Sequence, residues 1–500
     1  MENHALLVAY DIGTSGVKGS LYTEDGTLIC HETSGYDTFY DGFGGAEQNP
    51  EDWWEAIKKV TAVLMEYTEG QKISCVSFSG QESGLVLVGK DGQVLCNSMI
   101  HCDMRAGKEN DQILSWFGDM EFFEITGHKA SPGYPLEKLM WVKSNKPDLY
   151  AQIWKVFNAK DYIVYKMTGA AVTDHTDASF TNLYDISLRG WSDRICQQCG
   201  IDRAMLPDIK PSTFIAGYVN QDVSAQVGLP EGTAVVLGAG DGQCATVGCG
   251  AVRPGKTYNC LGSSSWITTI LENPPRDSGM CLETAAHPAG PWANAGGTMQ
   301  TAGTCWEWAV RSLYPQASRE EIEMELLQTA PGAGGVLFLP YLNGERVPFW
   351  DSHARGTFIG LTATTTRGDM LRAVLEGIAY NLGLILNVVR RYTEVPEIVI
   401  FGGMAKNALF CQILADVYGI PVATLKHADQ ITSLGAAVIG GVGAGVFQDF
   451  SIAERLCQRD RTYIPVEEDV RFYEDKPLLL HDTYHALKDI FKRVISYNRI

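Results

Sequence analysis

Asp11 closes an apolar run and is followed by Gly13-Thr14-Ser15-Gly16 and then by Lys18, at the head of a second β-prone run. Two strands joined by such a turn present backbone N–H groups and hydroxyls to whatever lies above the loop, a nest suited to phosphate oxygens. Asp11 adds a carboxylate of the kind that holds Mg²⁺, usually through water. The same residues also read as a hairpin whose glycines serve turn geometry alone. A second copy favours the phosphate loop. Thr257 to Ile270 repeats strand, turn and strand, with Gly262-Ser263-Ser264 in line with Gly13-Thr14-Ser15 and Cys260 in the place of Asp11. Two such loops could grip both ends of a triphosphate, and only the first copy brings a carboxylate for the metal.

A further carboxylate, Asp241, ends the apolar run Ala234–Gly238 and sits between Gly240 and Gly242, where no side chain crowds its approach. It is either a strand-end turn residue or a carboxylate held at the mouth of a cleft.

The elements that must carry these residues follow from periodicity and turn signals. Leu6–Asp11, Val17–Thr23 and Thr27–Glu32 read as a meander with Asp25-Gly26 as its second turn. Pro50 opens a helix to about Tyr67, Ile73–Ser79 is the next strand, and Leu85–Val88 with Val94–Cys96 reads as a hairpin around Asp91-Gly92. Residues 104–232 are richer in helix and are expected to face the substrate. The second half repeats the plan: a meander from Thr257, a long helix Asp369–Tyr392, a strand Glu397–Phe401, a helix Asn407–Tyr418, a strand Pro421–Leu425 and a helix Ser433–Gly443. A strand meander followed by alternating helices and strands, twice over, is a duplicated α/β fold. The boundary is expected near residues 245–256, giving domains 1–248 and 249–500.

Composition narrows the function. Five hundred residues exceed one hydrophobic core, and 45% apolar with 20% charged residues is ordinary for a globular chain. A net charge of −19 without a basic stripe argues against a nucleic-acid partner. The polar Met1–Ala5 offers no signal core, and the uncharged stretch Leu434–Phe447 is too short and Gly-rich to span a bilayer. The 13 cysteines lack framework spacing, which fits reduced thiols and a cytoplasmic setting. Cys196-Gln-Gln-Cys199 has no second pair to make a metal site, and His481 and His485 read as a solvated pair on a helix.

Five separated segments in order carry a resemblance. Asp11–Lys18, Pro135-Leu-Glu-Lys-Leu-Met-Trp141, Gly238-Ala-Gly-Asp241, Leu339–Pro348 with Ala354-Arg-Gly356, and Phe401–Asn407 running on to Ser433–Ala437 resemble the motifs of the FGGY carbohydrate kinases. Within that family the chain is most similar to the xylulokinase-like sugar kinases. The resemblance implies an actin-like, ribonuclease-H-like ATPase fold of two domains around an ATP and sugar cleft, closing over the substrates so that water is excluded. It implies Asp241 as the base toward the sugar hydroxyl, working at an ordinary carboxylate pKa because the proton leaves only as bonding to phosphorus develops. It also implies Asp11 and Asp241 on Mg²⁺, and phosphate contacts from Thr14, Ser15, Lys18, Gly262, Ser263 and Ser264. Gly402, Gly403 and Asn407 would receive adenosine, the glycines by letting backbone approach a flat base. The implied reaction moves the γ-phosphate of ATP to a hydroxyl of a small sugar, D-xylulose foremost. Gluconate, a polyol, another ketose or an autoinducer-2-type molecule are the alternatives. Homodimers are common in the family.

The sugar side departs from the xylulokinase pattern. A Gln-Met-His-type segment is replaced by Gly80-Gln81-Glu82-Ser83-Gly84, and a Trp-Asn-Asp-x-Arg segment by His101-Cys102-Asp103-Met104-Arg105. Gln81, Glu82, Ser83, Asp103, Arg105, Asp241 and Gly242 are the expected sugar contacts. A site that loses a His and a Trp cannot hold the same hydroxyl pattern equally well. Trp141 reads as a core side chain and Lys138 as a snorkelling one. An actin-like ATPase switch would keep both phosphate loops and the Gly402-Gly403 turn, but would have no use for Asp103, Arg105 or the Gly344-Glu345-Arg346 loop.

Overall fold

The structure is a computed structural model that describes residues 5–496; Met1–His4, at the start of the polar leading segment, lie outside it. The chain divides into two compact units. The first holds the chain up to Pro254 together with Glu272–Asn294 and Asp429–Cys457, and the second holds Gly255–Leu271, Ala295–Ala428 and the chain from Gln458.

In the first unit Leu6–Ile12 is the central strand. It pairs antiparallel with Gly16–Thr23, which pairs in turn with Leu28–Gly35. On its other side it pairs parallel with Ile73–Gly80, followed by Ala234–Val236 and Ile215–Tyr218. Alternate residues of the central strand serve opposite faces, and both faces are buried: Leu6, Val8 and Tyr10 in one core cluster, Leu7 and Ala9 in another. Two-sided burial is why this strand reads as a continuous apolar run.

The helix Pro50–Glu66 covers the first face. Pro50 opens it and the Asn49 side chain accepts from Glu51 N–H at 3.2 Å. Trp53, Ile57, Val60 and Leu64 recur at helical spacing and are buried, each contributing about 1.5–3 kcal/mol by the usual area rule. Gly19 permits the close approach, since a Cβ there would lie 2.9 Å from Val60 Cγ2.

The opposite face carries the helix Ile431–Gly443, supplied from late in the chain. It meets the helix Asp241–Gly248 backbone to backbone: a Cβ on Gly435 would lie 1.8 Å from the Cys244 carbonyl oxygen, and one on Gly248 1.9 Å from that of Ile431. Tyr22 OH to Ser433 Oγ at 2.8 Å and Lys18 Nζ to the Asp429 carbonyl at 2.9 Å fix the same segment to the hairpin.

The expected hairpin at residues 85–96 forms as a short one: Gly89 N–H donates to Gln93 O and Leu95 N–H to Leu87 O, both at 2.9 Å, around an isolated bridge between Val88 and Val94. Val86–Gly89 also pairs antiparallel with Ile153–Phe157. Cys196 and Cys199 lie in the apolar core of this helical region.

The second unit repeats the order of the first. Ala293–Met299, Ser265–Leu271, Thr257–Leu261, Ile398–Phe401 and Val422–Leu425 lie side by side as third, second, first, fourth and fifth strands, with Arg459–Tyr463 beyond. The first two are antiparallel, and the first, fourth and fifth are parallel. This is the duplicated α/β plan. Arg367–Val389, capped by a reciprocal Thr366–Asp369 pair, runs through this unit's core. Among the described residues it is the helix long and apolar enough to cross a membrane, but 89% of its apolar window is buried within the protein.

Candidate active site

The first loop is a hairpin turn whose acceptors are already engaged. Gly13 N–H donates to Gly16 O at 3.0 Å. The Gly13 carbonyl accepts from Tyr36 OH, and the Thr14 carbonyl accepts from Gln48 Nε2 at 2.7 Å. Gln48 is held by Gln81 Nε2 at 2.9 Å and Trp53 Nε1 at 3.1 Å. With its carbonyls used internally, the loop offers a ligand its N–H groups and hydroxyls, and Thr14 and Ser15 are exposed. Gln81, expected at the sugar, braces this loop through Gln48.

Asp11 lies opposite Lys18 on one neighbouring strand and Ser79 on the other. Ser79 Oγ donates to it at 2.7 Å. Burial nevertheless raises its pKa, more than the Ser79 hydrogen bond and Lys18 lower it.

Asp241 is reached by a broken strand. Gly238 adopts φ +76°, and a Cβ there would lie 1.9 Å from the Phe78 carbonyl oxygen; only glycine fits. Ala239–Gly240 then pairs with Ser79–Gly80, whose other edge pairs with Asp11 and Ile12 of the central strand. Asp241 is the first residue of the helix Asp241–Gly248 rather than the last of a strand, and its Oδ1 accepts from Gly242 N–H at 2.7 Å. Burial and then the like charge of Asp11 push its pKa up to about 7, well above the ordinary value expected from sequence.

Glu82 belongs to the same cluster. Its Oε1 would lie 1.9 Å from a Cβ on Gly240, so its carboxyl fills the space that this glycine leaves. Burial, with Asp241, Asp177 and Asp174 around it, raises its pKa well above the usual carboxylate range. Ser83 is buried with φ +59°, the left-handed region that a non-glycine residue seldom adopts.

Asp103 and Arg105 come together. Arg105 Nη2 lies 2.7 Å from Asp103 Oδ2 and 2.6 Å from Glu47 Oε1, and Asp103 Oδ2 also accepts from Ala46 N–H at 2.9 Å. The guanidinium lies over the Trp141 ring, 4.8 Å from its centroid. Trp141 is half-buried: it packs against the apolar core of the helical region, as expected, and is also covered by this cation. Lys138 does not snorkel: it is fully buried and donates to Ile100 O at 2.7 Å and Ser83 O at 2.8 Å. Burial drives its pKa down to about 7.

Sequence reading missed a buried ionic cluster behind Gly240. Lys160 Nζ lies 2.7 Å from Asp161, 3.0 Å from Asp174 and 3.0 Å from Asp177, all with side chains at most 1% exposed. One ammonium cannot neutralise three carboxylates. Asp177 rises well above the usual range through burial and its acidic neighbours, while Lys160 and hydrogen bonds from Ser212 and Thr176 hold Asp174 below it despite burial. The available signal was a Lys-Asp pair in the first turn of a helix otherwise rich in apolar residues.

In the second unit, the carbonyls of Gly262 and Ser263 accept from Gly303 N–H at 3.0 Å and Ala302 N–H at 2.9 Å, where the helix Gly303–Leu313 begins. As in the first loop, acceptors are used internally; Ser263 is exposed and Ser264 half-buried. Gly402 has φ +106°, with a Cβ 2.5 Å from Leu261 O, whereas Gly403 has open space above it. Asn407 caps the helix Ala408–Tyr418 by accepting from Phe410 N–H at 3.1 Å.

Two family models match this chain: the N-terminal domain of the FGGY family of carbohydrate kinases over residues 6–248, and its C-terminal domain over residues 257–444. The chain belongs to the FGGY family of carbohydrate kinases. It is 32% identical to the xylulose kinase of Bacillus subtilis over 497 residues, 99% of each chain. The solved structure of a ligand-bound xylulose kinase from Lactobacillus acidophilus matches with a TM-score of 0.93 at 28% identity, covering 98% of this chain and 100% of that one. A gluconate kinase structure from the same organism matches with 0.93 at 27%, over the same shares. The protein is thus a sugar phosphotransferase of actin-like fold that uses ATP.

Proposed function

We propose that this kinase phosphorylates a small ketose, D-xylulose foremost, with Asp241 as general base and Mg²⁺ held by Asp11 and Asp241. The observation that carries the reading is that Asp11 and the Ala239–Gly240 segment leading into Asp241 flank the same end of Ile73–Gly80, so that Asp241, raised first by burial, is raised further by the charge of Asp11. A pair of carboxylates beside a phosphate loop fits Mg²⁺, which is commonly bound by one or two carboxylates, water and substrate phosphates. When bound, the ion would neutralise charge developing on the transferred phosphoryl group.

The sugar hydroxyl attacks the γ-phosphorus, the bond to the β,γ-bridging oxygen breaks, ADP departs, and the hydroxyl proton passes to Asp241. Thr14, Ser15 and Lys18 orient phosphate oxygens, as do Gly262, Ser263 and Ser264 of the second unit. Positioning and charge stabilisation supply most of the rate, since a loose phosphoryl-transfer transition state asks little covalent chemistry of the protein. Gly403 takes the face of adenine, with the amide nitrogen of Asn407 available to it once its oxygen has capped the helix. Glu82, Ser83, Asp103 and Arg105 contact the sugar.

Full-length similarity to a named xylulose kinase supports the ketose, and the gluconate kinase match keeps an aldonate in view. A coupled ADP-release assay over pentuloses, hexuloses, polyols and aldonates tests the choice. The highest kcat/KM should fall on D-xylulose. A higher value for gluconate would transfer the reading to the aldonate, and no stimulation by any sugar would overturn it.

A further inference from the structure

We propose that Lys160, Asp174 and Thr176 form a buried positioning device that holds Gly238 and Gly240 and thereby aims the Asp241 carboxylate at the substrate hydroxyl. The proposal rests on the assignment of Asp241 as the base. Asp174 is the hub. Its Oδ1 takes the Lys160 ammonium at 3.0 Å, and its Oδ2 accepts from Thr176 N–H at 3.1 Å and Ser212 Oγ at 2.6 Å. From this hub two arms run to the glycines ahead of the base. The Thr176 hydroxyl accepts from Gly240 N–H at 3.0 Å, and the Ser212 carbonyl accepts from Gly238 N–H at 3.0 Å.

The glycines need such holding. Gly238 is in the left-handed region and Gly240 has lost its Cβ space to Glu82. Neither has a side chain with which to anchor itself, so the turn would otherwise be among the softer parts of the sheet end. Lys160 also packs its own backbone under the partner strand: a Cβ on Gly80, the residue paired with Gly240, would lie 2.9 Å from Lys160 Cβ. One residue therefore supports both strand ends beneath Asp241. A lysine and three aspartates with side chains at most 1% exposed are costly to bury, and apolar side chains of similar volume would be cheaper. What the ionic cluster supplies is direction, since charge-assisted hydrogen bonds fix donor and acceptor positions as packing alone does not. Thr176, Asp174 and Lys160 do not touch the reacting atoms; they are positioning residues.

Thr176→Val removes the hydroxyl acceptor at nearly constant volume, and Thr176→Ser restores it. Rates are measured in single turnover with saturating D-xylulose and ATP, alongside both KM values and the melting temperature, with Asp241→Asn as reference. Misaiming a base by a fraction of an ångström should lower the Thr176→Val rate by about tenfold or more, with both KM values within about threefold of wild type, and Thr176→Ser should recover most of that loss. Ser212→Ala keeps the carbonyl arm and should lose less. A Thr176→Val enzyme that melts lower yet turns over at the wild-type rate would overturn the positioning role and leave the base in place. Full activity in Asp241→Asn would instead remove the base itself, whatever the Thr176 variants do.

Discussion

Lys138 Nζ donates to the carbonyl oxygen of Ser83 at 2.8 Å, from a side chain with no exposed surface. The same amine reaches Ile100 O at 2.7 Å, so one buried lysine fastens together the two segments in which this chain departs from the xylulokinase pattern. It also steadies Ser83 in its left-handed conformation. Lys138→Met should therefore strike sugar binding selectively. The Ser83 carbonyl loses its donor, at a cost of about 1–3 kcal/mol, while Ile100 O keeps the Asp103 N–H at 2.9 Å; the sugar KM should rise about tenfold or more while the ATP KM stays within about threefold. Steady-state kinetics with each substrate varied in turn checks this; equal rises in both would show a general loss of structure.

Asp11 makes a separate prediction. Asp11→Asn keeps the Ser79 contact but removes a charge from the proposed Mg²⁺ site. The Mg²⁺ concentration for half-maximal rate should rise about tenfold, equivalent to about 1.4 kcal/mol, at fixed ATP. An unchanged Mg²⁺ dependence would take Asp11 out of the metal site.

Glu137 links pH to stability. Burial pushes its carboxyl up to about 8 from an unfolded value near 4.5, and Oε2 has no hydrogen-bond partner where the proton would sit. The folded state thus binds this proton more tightly than the unfolded chain does. The stabilisation is complete below about pH 4.5 and is lost as pH rises through about 8. Urea unfolding at pH 5.5 and 8.5 should show the wild type losing roughly 1–3 kcal/mol more than Glu137→Gln over that interval. Neighbouring Lys138, driven down to about 7, works in the opposite sense between about pH 7 and 10.5. The comparison with Glu137→Gln, in which Lys138 remains, isolates the carboxyl.

Gly435 tests the helix crossing. An alanine methyl there would begin 1.8 Å from the Cys244 carbonyl oxygen, a contact that neither backbone can relieve without separating the helices. Gly435→Ala should lower stability by about 1–3 kcal/mol or more, read as a fall in denaturant midpoint. Because Cys244 shares a helix with Asp241, activity should fall with it.

What was legible from sequence is what local pattern carries. The meander, the two Gly-hydroxyl turns and the duplicated order depend on alternation, turn residues and apolar runs, and they stand within a few residues of their expected bounds. Asp11 could be seen because it ends a strand before a loop. The packing of Trp141 against the core could be read from the apolar spacing of its helix, whereas the cation that covers it comes from residue 105 and could not. Lys138 was misread because a lysine carries a strong prior for solvent, and its carbonyl acceptors are backbone atoms with no residue type to recognise. Lys160, Asp174, Thr176 and Ser212 were missed because their meeting depends on three separate stretches of chain. The raised pKa of Asp241 depends on burial and on Asp11, neither of which its own neighbours reveal.

The helix Ile431–Gly443 bears on how this protein is made. It covers one face of the first unit's sheet and supports the helix that begins with Asp241, yet it leaves the ribosome long after the strands it covers. Until it arrives, Leu7, Ala9 and Cys75 have an unfilled side. The first unit must wait through synthesis of most of the second before its core can close, so a nascent chain carries an uncovered apolar sheet for much of its translation. A fragment cut at residue 248 would retain that exposure permanently, whereas supplying residues 429–457 in trans would offer it the missing cover.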